Sequence, residues 1–269
     1  MQLDFCTAVL NWTRENSSRS HSWGGPLLHP FLAIVIPAYN EEARIISTLQ
    51  EVVDYLQNMD YTWEVVVAND GSTDATGPLV RLFAADHPGV RLVDLCHRGK
   101  GWAVKHGMLH ATSEYRFLCD ADLSMPIEQI ERFLPLMLEG VDVAVGSREL
   151  PNSRRIGEPV RRHLMGRFYN ILVRLLAVPG LQDSQCGFKC FRGAVVSQIF
   201  PLQQLDGFAF DVEILFLAKR HGFVIQEVGI DWHYREQSKV RAVQDSLSMT
   251  WDLLKIRWRN IRGRYSQVG

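Results

Sequence analysis

Phe31-Leu32-Ala33-Ile34-Val35-Ile36-Pro37-Ala38-Tyr39-Asn40-Glu41-Glu42 decides the reading of this chain. Its unbroken apolar start suits a strand covered on both faces, as in a parallel sheet. Pro37 is expected to stop that strand. A helical pattern follows over 41–58, with Ile45, Leu49, Val52, Val53 and Leu56 on one face. The cycle then repeats. Strands are expected at 63–68, 90–95, 115–119 and 141–145, and helices at 74–86 (Leu79, Leu82 and Phe83 inward), 101–111 and 127–139. This alternation predicts an α/β fold with a mostly parallel sheet and helices on both faces. Such sheets hold ligands at the carboxyl ends of their strands.

Beyond residue 148 the pattern changes. The stretch 154–174 is basic, with Leu164, Phe168, Ile171 and Leu175 on one helical face. Residues 180–191 read as a polar, small-residue loop, 210–221 as a helix and 223–232 as a strand. Near the end, Leu247, Trp251, Leu254, Trp258 and Ile261 form one helical stripe beside Lys255, Arg257, Arg259, Arg262 and Arg264. Each basic amphipathic helix has two readings: its stripe packs on the core, or it lies in the headgroup region of a membrane. The expected organisation is a poorly ordered lead-in over 1–30 and one domain over 31–240. That domain carries the basic helix at about 160–178, and a terminal helix occupies 241–269.

Composition sets the bounds. A chain of 269 residues, 46% hydrophobic and 22% charged, is large enough for a sizeable core. Its net charge of −1 argues against a nucleic-acid partner. The five cysteines have no framework or zinc-ligand spacing, so reduced thiols and a cytoplasmic location are expected. No apolar run approaches the roughly 18 residues of a membrane span. The N-terminus lacks the charged start and apolar core of a signal peptide.

The unusual residues fall at strand ends. Asp120-Ala121-Asp122 closes the fourth strand and leads into Leu123-Ser124-Met125-Pro126. Paired carboxylates there are costly without a partner. The usual partner is a hard cation holding a phosphorylated ligand, and Mg²⁺ needs only one or two carboxylates besides phosphate oxygens. The turn with Pro37, Tyr39 and Glu41 offers backbone N–H groups to a nucleotide, or is simply a capped turn. At the second strand's end, Asp70 could accept from a base N–H, Gly71 allows close approach, and Asp74 caps the next helix. Arg98-Gly99-Lys100-Gly101 brings a cation and adaptable backbone to where phosphates would sit.

Together these pieces resemble the family 2 glycosyltransferases of the GT-A (Rossmann-like) fold. The matching segments are PAYNEE at 37–42, NDGSTD at 69–74, RGKGWAVKHGM at 98–108, DADLSMP at 120–126 and GSR at 146–148. Asn69 departs from the acidic residue usual at its position. DSQCGFKCF at 183–191, FAFDVEIL at 208–215 and SKV at 238–240 narrow the resemblance to the dolichyl-phosphate glucosyltransferases and their polyprenyl-phosphate relatives. Mannosyl-transferring cousins share related motifs. The resemblance implies a nucleotide-sugar donor (UDP-glucose or GDP-mannose), Mg²⁺ or Mn²⁺, a polyprenyl phosphate acceptor and inversion at the anomeric carbon. Eukaryotic members of the glucosyl branch carry an N-terminal membrane anchor, which is not seen in this sequence.

Under that implication Asp122 is the expected metal ligand and Ser124 completes its shell. Asp120 holds the donor sugar or ribose, or reaches the ion through water. Arg148 and Arg162 are expected on the acceptor phosphate, and Lys239, with Arg235, over the donor diphosphate. Asp211 is placed at the site and Glu213 in a structural role. Gln185 and Lys189 line the sugar pocket or stabilise their loop. The acceptor implies peripheral contact with a membrane surface, with a homo-oligomer or a membrane-anchored partner left open. Two competitors remain: a soluble acceptor, which would need a base such as Asp211, and a nucleotide-sugar-binding protein without catalysis.

Overall fold

The computed structural model describes residues 29–159, 177–234 and 242–265, together with Asn170, Val173 and Arg174. Arg162, Arg235 and Lys239, the lead-in up to residue 28 and most of the basic helix expected at 160–178 lie outside the described residues. The strands are β1 (Leu32–Ala38), β2 (Trp63–Asn69), β3 (Val90–Asp94), β4 (Tyr115–Leu118), β5 (Val143–Ser147), β6 (Arg154–Ile156), β7 (Lys189–Arg192), β8 (Ile225–Gly229) and β9 (Asp231–His233). The helices between them are α1 (Ile45–Gln57), α2 (Thr76–Asp86), α3 (Lys100–His110), α4 (Leu134–Leu138), α5 (Gly193–Ile199) and α6 (Phe210–Arg220), and α7 (Ala242–Ile261) closes the chain.

Seven strands form one sheet in the order β3-β2-β1-β4-β7-β5-β8, and β6 pairs with β9 beside it. Only β7 runs against its neighbours β4 and β5. Successive residues of β1 serve opposite cores: Leu32, Ile34 and Ile36 meet α1, while Ala33 and Val35 meet α3 and the α5–α6 layer. This two-sided burial is why the run at 31–36 has no polar break. Sheet and helices thus form an α/β fold of the expected class, with the carboxyl ends of β1, β2 and β4 on one edge.

Five details differ from the sequence reading. β1 continues through Pro37 to Ala38. The carbonyls of Val35 and Ala38 accept from Cys119 and Asp70, so the ring nitrogen of Pro37 faces the β4 side just past the end of that strand. No ladder donor is lost there. Leu82 of α2 points to solvent, and Val80 and Phe83 carry the burial. The helix expected at 127–139 breaks into a 3₁₀ turn (Ile127–Arg132) and α4, because Pro135 cannot donate in a continuing helix. The loop expected at 180–191 ends in β7, whose Cys190 and Phe191 feed opposite cores. The strand expected at 223–232 divides at Ile230: β8 extends the main sheet, and β9 leaves it for β6.

α7 also settles part of an open alternative. Leu253 and Ile256 are buried, whereas Trp251, Leu254, Trp258 and Ile261 are 62%, 45%, 46% and 83% exposed. From Trp251 to Ile261 the stripe legible in the sequence is therefore the helix's outer face, not its packing face.

Candidate active site

The ends of β1, β2 and β4 open into a cavity of about 460 Å³. The β1 turn contributes Pro37, Tyr39, Glu41 and Arg44. Two turns are laced together beneath it. Asn40, in the left-handed region at φ 50°, donates through its N–H to Ser72 Oγ and accepts from Thr73 N. The N–H of Glu41 reaches Thr76 Oγ1 at 2.7 Å. Asp74 accepts from the N–H groups of Thr76 and Glu42, so it ties the start of α2 to the β1 turn.

Asp70 lines the cavity but is nearly sealed, and both of its carboxylate oxygens have partners. Oδ1 accepts from Arg98 N at 2.9 Å; Oδ2 accepts from Gly99 N at 2.9 Å and meets His97 Nδ1 at 2.8 Å. Both oxygens hold the 97–99 loop, and Oδ1, with one donor, keeps further acceptor capacity. Gly71 sits at φ +64°, and a Cβ there would lie 2.6 Å from His97 N, so the two loops can meet only at a glycine. His97 in turn stacks on Tyr39, ring centroids 4.1 Å apart and planes 16° from parallel. Together they present an aromatic wall to the cavity.

The Asp120–Asp122 turn also lines the cavity. Thr48 of α1 donates to the Ala121 carbonyl at 2.6 Å, and Ser124 N donates to Asp122 Oδ1 at 2.9 Å. Between them Leu123 is forced to φ 43°, an unusual conformation for a bulky residue. Lys100 Nζ lies 2.7 Å from Asp120 Oδ1. Burial opposes charging of Lys100, but Asp120 first, then Asp211 and Asp122, hold its pKa above the usual lysine range. Behind Asp120 is Gly187, where a Cβ would come within 2.2 Å of Asp120 Oδ2.

Two carboxylates facing a cavity beside a lysine fit a divalent ion that is shared with a phosphorylated ligand. Among the described residues no cluster of three or more His, Cys, Asp or Glu side chains could hold an ion by itself. Asp120 and Asp122 are the two cavity-lining carboxylates that share one turn, and they would leave the remaining positions to ligand oxygens or water. Ser124 is buried outside the cavity lining, and so is not placed to complete that shell.

Several expected site residues brace the site instead. Arg148 forks onto Asp183, Nε to Oδ2 at 2.6 Å and Nη2 to Oδ1 at 2.9 Å. Its guanidinium is committed to a carboxylate, which corrects its expected place on an acceptor phosphate. Burial pushes the Asp183 carboxyl up, but the Arg148 charge and its hydrogen bonds prevail and hold it at about 2. Lys189 is sealed against Asp211 and also donates to the Cys186 carbonyl. Burial raises Asp211 above the usual carboxylate range against the pull of Lys189 and Lys100. Neither Asp211, Lys189 nor Gln185 lines the cavity. Glu213 is fully buried, accepting from Tyr265 Oη at 2.5 Å, Gln204 N at 3.0 Å and Leu205 N at 2.8 Å.

His97, Arg44 and Phe208 line the cavity and were not anticipated. His97 adjoins the RGK segment, which is the one local hint. Its partners Tyr39 and Asp70 come from other strand ends, so spacing along the chain does not reveal it.

Comparison with known proteins follows the same lines. The family model for glycosyl transferase family 2 matches residues 33–200. A dolichyl-phosphate beta-glucosyltransferase of Dictyostelium discoideum is 33% identical over 88% of this chain and 77% of its own length. The human dolichyl-phosphate beta-glucosyltransferase is 30% identical over 95% of this chain and 83% of its own. Among solved structures, glucosyl-3-phosphoglycerate synthase of Mycobacterium tuberculosis, in complex with Mn²⁺, UDP and glucosyl-3-phosphoglycerate, superimposes with a TM-score of 0.59 at 19% identity. That match covers 88% of this chain and 85% of the other. Mannosyl-3-phosphoglycerate synthase of Rubrobacter xylanophilus gives 0.60 at 19% identity, covering 89% and 77%. These structures share the fold.

Proposed function

This chain belongs to glycosyl transferase family 2 and is a glycosyltransferase, and from that premise we propose that it transfers glucose from UDP-glucose to a polyprenyl phosphate of the dolichyl type, inverting the anomeric carbon. The observation that carries this reading is the strand-end cavity whose lining brings Asp120, Asp122 and Lys100 together with Tyr39 and His97. The names of relatives at 30–34% identity favour glucose over mannose and a lipid-linked acceptor over a soluble one.

In the proposed reaction an acceptor phosphate oxygen forms the new bond to the sugar C1. The bond from C1 to the nucleotide's terminal phosphate breaks, and its electron pair leaves with the diphosphate. A phosphate monoester is already anionic at neutral pH, so no side chain has to remove a proton. This agrees with Asp211 being locked against Lys189 instead of facing the cavity. The chain's task is to hold two anions together and stabilise the charge growing on the leaving group. Lys100 supplies one cation at the cavity wall. Asp120 and Asp122 would hold a Mg²⁺ or Mn²⁺ ion, which when bound supplies Lewis-acid stabilisation of the departing diphosphate. The Tyr39–His97 wall offers a flat face to the nucleobase. Arg162, Arg235 and Lys239 are the cations we assign to the acceptor and donor phosphates.

A lipid acceptor requires contact with a membrane surface. No described helix is long and apolar enough to cross a membrane, and peripheral attachment is the reading we adopt. Cys96, Cys119, Cys186 and Cys190 are free thiols, which supports a reducing compartment and hence the cytoplasmic face.

The test is product formation from UDP-glucose and from GDP-mannose with a short polyprenyl phosphate, in Mn²⁺, Mg²⁺ or EDTA. Metal-dependent glucosyl-lipid formed from UDP-glucose alone is the expected result. Transfer only from GDP-mannose would change the sugar. Metal-dependent hydrolysis of the donor without lipid product would reject the acceptor.

A further inference from the structure

The outer face of α7 is unusual in two ways. It exposes two tryptophans, a leucine and an isoleucine in one stripe, although apolar surface of this kind is normally covered. It also lies between cations. On a helical projection Arg257 flanks the stripe on one side and Lys255 and Arg262 flank it on the other. The Arg262 guanidinium lies 3.9 Å from the Trp258 ring centroid, and that of Arg264 lies 5.7 Å from it. Asp252, an acidic side chain of the same helix, is 2.8 Å from Lys255. Exposed tryptophan and aliphatic side chains framed by positive charge are complementary to one surface above others: anionic headgroups over hydrocarbon.

A second copy of the chain fits poorly. In an isologous pair the stripe would meet its own image, and the flanking arginines would face arginines. The like charges argue for a lipid partner.

We propose that this face of α7 (Trp251, Leu254, Trp258 and Ile261 within their frame of arginine and lysine) is the surface by which the enzyme docks on an anionic bilayer. The inference deepens the lipid-acceptor reading by naming where the membrane sits, and it rests on that reading only for its purpose. The inner side of α7 explains how docking reaches the site. Leu253 and Ile256 are buried in the core that also holds Val212 and Phe216 of α6. Tyr265, just past the helix, donates to Glu213 of α6, and the same carboxylate accepts from Gln204 and Leu205. That segment runs directly into Gly207 and Phe208 of the cavity wall. A bilayer held by α7 is therefore fixed relative to the mouth where its acceptor must enter.

The full chain is sedimented with vesicles of phosphatidylcholine, or of phosphatidylcholine mixed with phosphatidylglycerol, without acceptor lipid or nucleotide-sugar. Binding to the anionic vesicles, weakened by salt, is expected. The pair Trp251→Ser/Trp258→Ser should lower the partition coefficient at least about tenfold on both vesicles. The pair Arg262→Ala/Arg264→Ala should lower it about tenfold on anionic vesicles only. Unchanged thermal melts establish that both variants fold. Metal-dependent transfer to a water-soluble short-chain acceptor should be unaltered in the tryptophan pair, which separates docking from catalysis. If the wild type binds and the tryptophan pair binds equally well, or if the wild type does not bind, the proposal is overturned. A concentration-dependent dimer in ultracentrifugation that the tryptophan pair abolishes would overturn it in favour of a homomeric interface. Vesicle binding without any lipid glucosylation would leave docking in place and sink the acceptor reading instead.

Discussion

Asp120 and Asp183 are both aspartates met by a cation within hydrogen-bond distance, yet they do opposite work. Asp120 keeps about a quarter of its side chain in contact with solvent and shares the cavity wall with Lys100. Asp183 is sealed, takes both arms of Arg148 and accepts from the N–H groups of Arg148 and Gln185. Asp120 and Lys100 are left partly exposed at the cavity, whereas the Arg148–Asp183 pair is saturated outside its lining. A polar cluster therefore marks a site only where ligand could still improve its partners. Where every lone pair is used, it marks a brace.

The contrast makes its largest prediction at the brace. Arg148→Met leaves a buried carboxylate without its partner and should cost about 3–5 kcal/mol of stability in denaturant melts. The double variant Arg148→Met/Asp183→Leu should recover most of that loss, because the pair is then removed together. A single variant as stable as wild type would break the contrast.

At the cavity the sign reverses. Asp122→Asn should lower transfer about a thousandfold, near 4 kcal/mol in the barrier, while thermal melting stays close to wild type. Loss of folding would place Asp122 with the braces. Gly187→Ala sharpens the boundary between the two regions, since the added methyl collides with Asp120. A displacement of that size should lower kcat about a hundredfold, with binding of the isolated nucleotide changed much less. Unaltered kcat would mean that Asp120 has room to move.

The smallest effect is on acid stability. The folded carboxyl of Asp183 lies at about 2, below its ordinary value of 3.8. Its contribution, roughly 2 kcal/mol, is thus fully present above about pH 4. It is lost as pH falls through the folded value near 2. Asp183→Asn should flatten that part of the stability curve, and an unchanged curve would deny the ion pair its role.

Much of this was legible in the residues. The apolar run at 31–36 and its alternation with helical patterns indicate the sheet, because two-sided burial leaves no polar residue to confuse the period. Asp120, Asp122, Lys100 and Tyr39 could be placed at strand ends for the same reason. β7 could not: Lys189 within Lys189-Cys190-Phe191 reads as a pocket or loop residue until Asp211 supplies its partner from α6. Arg148 looks like a ligand contact, and only the fold brings it onto Asp183. His97 was hidden because its meaning comes from Tyr39 and Asp70. The outward stripe of α7 could be found as a stripe, but which side it faced depended on Leu253, Ile256 and Tyr265 meeting α6.

The most direct test of the division between cavity and brace is calorimetric titration of UDP into the folded protein with Mn²⁺ and with EDTA, for wild type, Asp122→Asn and Arg148→Met/Asp183→Leu. Metal-dependent binding in wild type, its loss in Asp122→Asn and its survival in the double variant is the predicted result. Equal metal-dependent binding by Asp122→Asn, or its loss on removal of the buried pair from a folded protein, would contradict it.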